Sequence, residues 1–331
     1  MTPQYHVLGI GNAIVDVLSH AEDAFIKENG LDKGIMKLIE ADEATALYDK
    51  MGPGVEISGG SAANTIVGVA SLGGRGAFIG KVCDDQLGEV FRHDIRAAGV
   101  AFDSTPVKGQ PPTARCLILV TPDAQRTMNT FLGACVELGP EDVDPELVAN
   151  AEITYLEGYL WDRPKAKEAF VKAAGLAHDA GRRVSLTLSD PFCVDRHRDS
   201  FRELIDGHID ILFANEAEIL SLYQVDSLDQ ALDAVRGECG LAVVTRSGKG
   251  SIVLEGTQVF EVPAEPIAKV EDTTGAGDLY AAGFLHGVAE GKHPAECARR
   301  GAIAAAEVIS HFGARPEVSL ADLVGQKLAA E

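Results

Sequence analysis

An alternation along the chain limits the fold more than any other feature. Short apolar runs, among them "YHVLGIG", "GAFIGKV", "EITYLEGYL", "RVSLTL", "HIDILFAN" and "LAVVTRSG", are separated by stretches with helical spacing such as "DQLGEVFRHDIRAAG" and "PKAKEAFVKAAGLAHDAG". Strands that alternate with helices build a mostly parallel sheet covered by those helices, so the pattern predicts an α/β fold. Ligands of such sheets bind beyond the carboxyl ends of the strands, where loops lead into helices. The informative residues are therefore expected just after the apolar runs.

Two regions depart from the alternation. Residues 13–58 and residues 101–131, the latter with "ARCLILVTP" and "QRTMNTFLG", show period-two spacing and read as strands without paired helices. Strands that leave the main sheet would build a small β-layer, read with equal weight as a lid over the site or as an edge extension. No Pro/Ser-rich linker, charge block or low-complexity tract divides the chain, so residues 1–331 are expected to form one domain that carries this layer as a subdomain.

The 331 residues, 46% apolar and 24% charged, can bury a substantial core. A formal net charge of −21 argues against a nucleic-acid partner, because phosphate backbones are held by clustered Lys and Arg. The longest basic stretch, "DRHRDSFR", is interrupted by Asp and reads as a solvated helix face. Cys83, Cys116, Cys135, Cys193, Cys239 and Cys297 form no C-x-x-C pair, so neither a structural zinc nor a disulfide framework is expected. The first residues read as a strand rather than a leader and no segment reaches transmembrane length; a cytoplasmic chain without a membrane partner is expected.

The stretch "EDTTGAGDLYAAGFLHG", starting at Glu271, joins polar residues to an apolar run with helix-compatible spacing. Gly275 to Asp278 should form the loop and first turn of a helix, where unpaired N–H groups and a partial positive charge make an anion site. Glycines let the backbone approach that anion, and main-chain donors supply positive potential that this acidic chain does not provide as clustered lysines. Asp278 would then stand where a carboxylate takes the proton of a hydroxyl attacking phosphorus. Taken alone, the heptad reads equally well as a Gly-rich turn with Asp278 capping a helix. Two other phosphate motifs do not match: "RSGKGS" lacks P-loop spacing, and "GIGNAI" has Ile14 where a dinucleotide fingerprint needs Gly or Ala.

"DTTGAGD" (residues 272–278) together with "GGSAAN" (residues 59–64) resembles the two signature regions of the ribokinase-like, PfkB-type carbohydrate and nucleoside kinases. Further matches run in order along the chain: "GIGNAIVD", "NEAE", "VVTRSGKGS" and "GARP". The resemblance implies a three-layer ribokinase-like fold with a β-sheet lid, and ATP with Mg2+ as cofactors. It makes Asp278 the catalytic base and the N–H groups of Gly275, Ala276 and Gly277 the anion hole. Asp16, Gly59, Gly60 and Asn64 would bind the sugar hydroxyls. Asn215 and Glu218 would order magnesium through water. Thr245, Arg246, Gly248, Gly250, Thr273, Thr274 and Gly313 would lie along ATP, and a monovalent cation, K+ in many relatives, would sit near Asp272 and Thr274. Leu279 and Tyr280 replace the small residue and Phe that follow the base in many relatives, so the packing behind Asp278 is expected to differ.

The acceptor is less constrained. "LTLSDPFCVDRHRDSFRELIDGHIDILFANEAE" and "QRTMNTFLGA" resemble the adenosine-kinase branch, which implies adenosine or another ribonucleoside ahead of fructose, ribose or 2-keto-3-deoxygluconate. Phe131, Phe192 or Trp161 would offer a nucleobase its stacking area, though each reads equally as core. His286 and His311 are expected to be structural. Two readings from other classes are a dinucleotide-dependent oxidoreductase built on "GIGNAIVD" and a sensor that keeps the fold without the chemistry. A homodimer through the lid is one further expectation.

Overall fold

In a computed structural model that describes residues 3–109, 111–123 and 125–330, the alternation becomes thirteen strands and twelve α-helices among the described residues. The strands are β1 (Tyr5–Ile10), β2 (Ile14–His20), β3 (Met36–Leu38), β4 (Val55–Gly59), β5 (Gly76–Ile79), β6 (Ala114–Val120), β7 (Arg126–Phe131), β8 (Ala151–Glu157), β9 (Arg183–Thr187), β10 (Ile211–Asn215), β11 (Leu241–Thr245), β12 (Ser251–Glu255) and β13 (Gln258–Val262). The helices are α1 (Asp23–Glu28), α2 (Ala41–Tyr48), α3 (Ser61–Ser71), α4 (Gln86–Ala97), α5 (Pro145–Ala149), α6 (Pro164–Asp179), α7 (Pro191–His208), α8 (Glu216–Tyr223), α9 (Leu228–Val235), α10 (Ala276–Ala289), α11 (Pro294–Val308) and α12 (Leu320–Ala329).

Eight strands form the central sheet in the order β13-β12-β11-β10-β9-β8-β1-β5. The strands from β5 to β11 in that order run parallel, and β12 and β13 close one edge as antiparallel hairpins. Successive side chains of a strand point to opposite faces. Val7 and Leu8 of β1, Leu212 and Phe213 of β10, and Val243 and Val244 of β11 accordingly enter two different hydrophobic cores. One core is completed by α3, α4, α10, α11 and α12 through Ile66, Phe91, Phe284, Ile303 and Leu320. The other is completed by α5 to α9 through Val148, Phe170, Phe201, Leu222 and Leu232. Because both faces are dry, the strands read as continuous apolar runs.

The second sheet has the order β3-β7-β6-β2-β4 and is built from residues 14–59 and 114–131. One face buries Val17, Leu117 and Leu119 under Ile26 of α1 and Leu47 of α2. The opposite face carries Ile14, Leu18, Cys116 and Ile118, and by the same alternation Asp16. The expectation of strands alone over residues 13–58 is corrected here: α1 and α2 interrupt them. Ala44 and Leu47 supply the buried stripe of α2, and Glu40 with Glu43 forms a reciprocal capping box at its start.

Trp161 is also corrected as a nucleobase slot. It is 3% exposed in the α6–α7 core, stacks on Phe201 and donates its indole N–H to Ser200 Oγ at 2.9 Å. Among the described residues no helix is long and apolar enough to cross a membrane.

The contact that matters for the site is α3 against α10. A Cβ on Gly68 of α3 would lie 2.6 Å from Ala282 Cβ and 2.6 Å from Leu279 Cδ1, so the absent side chain lets the two helices close up. Gly68→Ala is expected to cost about 1–3 kcal/mol in urea unfolding, the usual range for overpacking. It is also expected to lower turnover, because the N-termini of the same two helices carry the polar residues described next.

Candidate active site

The turn between β4 and α3 is shaped by two glycines. Gly60 sits at φ 95°, its carbonyl accepts Asn64 N–H at 2.8 Å, and a Cβ there would lie 2.2 Å from Asn12 O. A Cβ on Gly59 would lie 2.1 Å from Asp16 Oδ2, so this glycine is the space that the Asp16 carboxylate needs. Burial pushes the Asp16 carboxyl up to about 7, against the opposing charge of Arg315 and with that of Asp278.

Across the turn, Asp278 lies in the first turn of α10, whose N-cap Gly275 sits at φ 77°. Ser61 Oγ donates to Asp278 Oδ1 at 2.7 Å and Asn64 Nδ2 donates to Oδ2 at 2.9 Å. Two donors fix the plane of the carboxylate and leave each oxygen a second lone pair. Burial raises the Asp278 pKa, while Ser61, Asn64 and Arg315 pull it back. Asn64 Oδ1 is buried and has no partner. Behind Asp278, Leu279 packs on Gly68 and Tyr280 donates its hydroxyl to Ser251 Oγ at 2.7 Å, which fastens α10 to β12.

The loop before α10 is held from three sides. Asp272 accepts Thr274 N–H at 2.9 Å, the Thr274 hydroxyl at 2.6 Å and Gly313 N–H at 3.0 Å. From the lid, Arg126 Nε reaches Asp272 Oδ1 at 2.9 Å, Nη2 donates to Thr273 Oγ1 at 2.9 Å, and Nη1 donates to Thr274 Oγ1. The side-chain oxygens expected to ligate a monovalent cation are thus engaged by a guanidinium. A Cβ on Gly277 would point into open space, which leaves the first-turn N–H groups of α10 approachable.

At the end of β10, Asn215 and Glu218 form a capping box at α8. Asn215 N and Nδ2 donate to the Glu218 carboxylate at 2.9 and 2.6 Å, and Asn215 Oδ1 accepts Glu218 N–H at 2.9 Å. Burial pushes Glu218 up to about 7. Thr245 is the ladder partner of Asn215, and Arg246 to Gly250 make the β11–β12 turn, with Gly250 at φ 87° and open space at Gly248. Tyr159 lies within the electrostatic reach of Asp190, Glu218, Asp278 and Glu157, so the ends of β8, β9 and β10 and the start of α10 lie near one another. Among the described residues no group of three or more His, Cys, Asp or Glu could hold a metal ion.

Five participants were not singled out from sequence: Asn12, Ser61, Arg126, Glu157 and Arg315. Glu157, at the carboxyl end of β8, accepts Asn12 N and Nδ2 at 3.3 and 2.6 Å and Ala62 N at 2.8 Å. The same carboxylate closes the "GIGNAI" turn, because a Cβ on Gly11 would lie 2.4 Å from Glu157 Oε2; strand β2, not a helix, follows that turn. The oxidoreductase reading is corrected on both counts. His286 is buried beside His6 and His311 bonds Glu307, both in structural settings. Phe192, in the first turn of α7, is 73% exposed and unused by either core.

A family model described as pfkB family carbohydrate kinase matches residues 34–320. The chain belongs to the pfkB family of carbohydrate kinases. Its fold superposes on the crystal structure of adenosine kinase from Sinorhizobium meliloti with a TM-score of 0.93, at 55% identity over 98% of this chain and 99% of that one. A probable sugar kinase from Rhizobium etli CFN 42 gives 0.94 at 50% identity, over 98% and 99% of the two chains. Adenosine kinase 1 of Arabidopsis thaliana is 27% identical over 93% of this chain and 94% of its own. The pfkB kinase described here is thus an ATP-dependent phosphotransferase acting on a nucleoside or sugar hydroxyl, adenosine-kinase-like in sequence and fold.

The buried carboxyls of this kinase give its stability a definite pH dependence. Asp16 and Glu157 titrate at about 7 when folded, above the value of about 4 for an unfolded chain. The folded state binds these protons more tightly, so their contribution is complete below about 4 and is lost as pH rises through about 7. The melting temperature of the ligand-free kinase is expected to fall between pH 5 and pH 8, as read by calorimetry, and to fall less in Asp16→Asn.

Proposed function

We propose that this kinase phosphorylates the primary hydroxyl of a ribonucleoside, adenosine first, by in-line transfer from ATP. The observation that carries the proposal is the Asp278 carboxylate, held by Ser61 and Asn64 at the N-terminus of α10. A hydroxyl placed against Asp278 gives up its proton there as it attacks the γ-phosphorus. The N–H groups of Gly275, Ala276 and Gly277 donate to the equatorial oxygens as charge develops on them. Asp16 accepts vicinal ribose hydroxyls, and Asn64 Oδ1 gains the donor it lacks.

Asn215 and Glu218 offer oxygen donors without a protein cage, a set that suits a magnesium ion carried by the phosphates and held partly through water. Bound in that way, Mg2+ neutralises phosphate charge. Arg126 brings a further positive charge from the lid to Thr273 and Thr274. Thr245, Arg246, Gly248, Gly250 and Gly313 flank the nucleotide on this reading. The likeness to Rhizobium etli probable sugar kinase supports free sugars as the second acceptor class.

A homodimer through the lid would have to pair along β3 or β4, since α1 and α2 cover the outer face. All six cysteines are free thiols, in keeping with a reducing compartment.

Asp278→Asn is expected to keep fold and binding and to lower turnover by roughly two to four decades, the scale of a lost general base; near-normal turnover would remove Asp278 from the chemistry. ATP consumption with adenosine, inosine, fructose, ribose and 2-keto-3-deoxygluconate identifies the acceptor. On the nucleoside reading Phe192→Ala raises the KM for adenosine and leaves that for ribose unchanged; equal effects on both would exclude Phe192 as the base contact. A wild-type chain that consumes no ATP with any of them would favour the sensor.

A further inference from the structure

The loop after α11 sends a guanidinium into the protein beneath the acceptor residues. Arg315 Nε and Nη2 donate to Ser58 O at 2.9 and 2.7 Å, Nη2 donates to Ser58 Oγ at 3.1 Å, and Nη1 donates to Ala63 O at 3.0 Å. These acceptors stand on either side of Gly59 and Gly60, so a single planar fork spans the end of β4 and the first turn of α3. All of them are neutral oxygens. Burial pulls the Arg315 pKa down to about 10, so it stays charged at neutral pH, and its charge is answered at longer range by Asp16, Asp278 and Asp94. A partly desolvated guanidinium without a direct carboxylate partner is held here by hydrogen bonds to neutral oxygens alone.

The groups around the two site carboxylates come from several elements. Asp16 is faced by Arg126 of the lid and by Asp272 of the heptad, and Cys116 lies opposite it in the ladder. Asp278 faces Tyr155 and Glu157 of β8 and Tyr159 beyond it. Most of this company is acidic, and the positive charge of Arg315 acts on both carboxylates.

We propose that Arg315 is the positioning residue of acceptor phosphorylation: its fork sets the turn that presents Gly59, Gly60, Ser61 and Asn64, and it holds a positive charge beside Asp16 and Asp278 at that turn. The proposal rests on the phosphotransfer reading of Asp278.

Arg315→Met and Arg315→Lys separate the two parts. In Arg315→Met, kcat is expected to fall about tenfold or more and the acidic limb of its pH profile to move to higher pH, since a carboxylate that loses a positive neighbour holds its proton longer. The KM for the acceptor rises while that for ATP stays within about twofold. Arg315→Lys keeps the charge and loses the fork, so the limb stays near its wild-type position while the acceptor KM still rises. Should Arg315→Met fail to fold, the lysine variant decides: a wild-type acceptor KM overturns the proposal and a raised one supports it. An unshifted limb in Arg315→Met overturns it too, as does an equal rise in both KM values, the mark of a merely structural residue. Carbon-13 NMR of the aspartate carboxyls in Arg315→Met reads the titration without turnover. A wild-type chain inactive on every acceptor would therefore sink the phosphotransfer reading, while that titration would still decide for or against Arg315.

Discussion

The structure depends on a half-buried carboxylate where two helices begin. Asp278 is partly withdrawn from water and given Ser61 and Asn64 as donors, an exchange that works only if α3 and α10 start at the same place. Everything near it serves that meeting. Gly68 lets the helices touch, Tyr280 fastens α10 to β12, and Glu157 ties the start of α3 to β8 and to the β1–β2 turn. The geometry around Asp278 is therefore a property of the packing of one face of the central sheet rather than of a free loop.

The same economy governs charge. A chain with a net charge of −21 brings two arginines from distant parts of the sequence to the region where α3 and α10 start. Arg126 comes from the lid and Arg315 from the C-terminal loop. Each is fixed by several hydrogen bonds, so its charge is delivered with a direction.

Much of this was legible in the order of residues. The alternation of apolar runs gave the parallel sheet because both faces are buried, and the glycine-flanked motifs marked Asp278, Asn64 and Asp16 because a close backbone approach needs glycine wherever it occurs. Arg315 and Arg126 were not legible. The partners of Arg315 at Ser58 are 257 positions away and that of Arg126 at Thr274 is 148 away, and such pairs leave no local period to read. Trp161 misled for the opposite reason: it follows the carboxyl end of a strand, yet the turn after β8 carries it into the layer away from the site. Helices α1 and α2 were missed because six and eight residues are too few for a helical period to outweigh the strands beside them.

The grip of Arg126 on the heptad loop has a mechanical consequence. The small sheet cannot part from that loop without breaking the bonds to Asp272, Thr273 and Thr274 together, so one side chain fastens β7 to the segment that leads into α10.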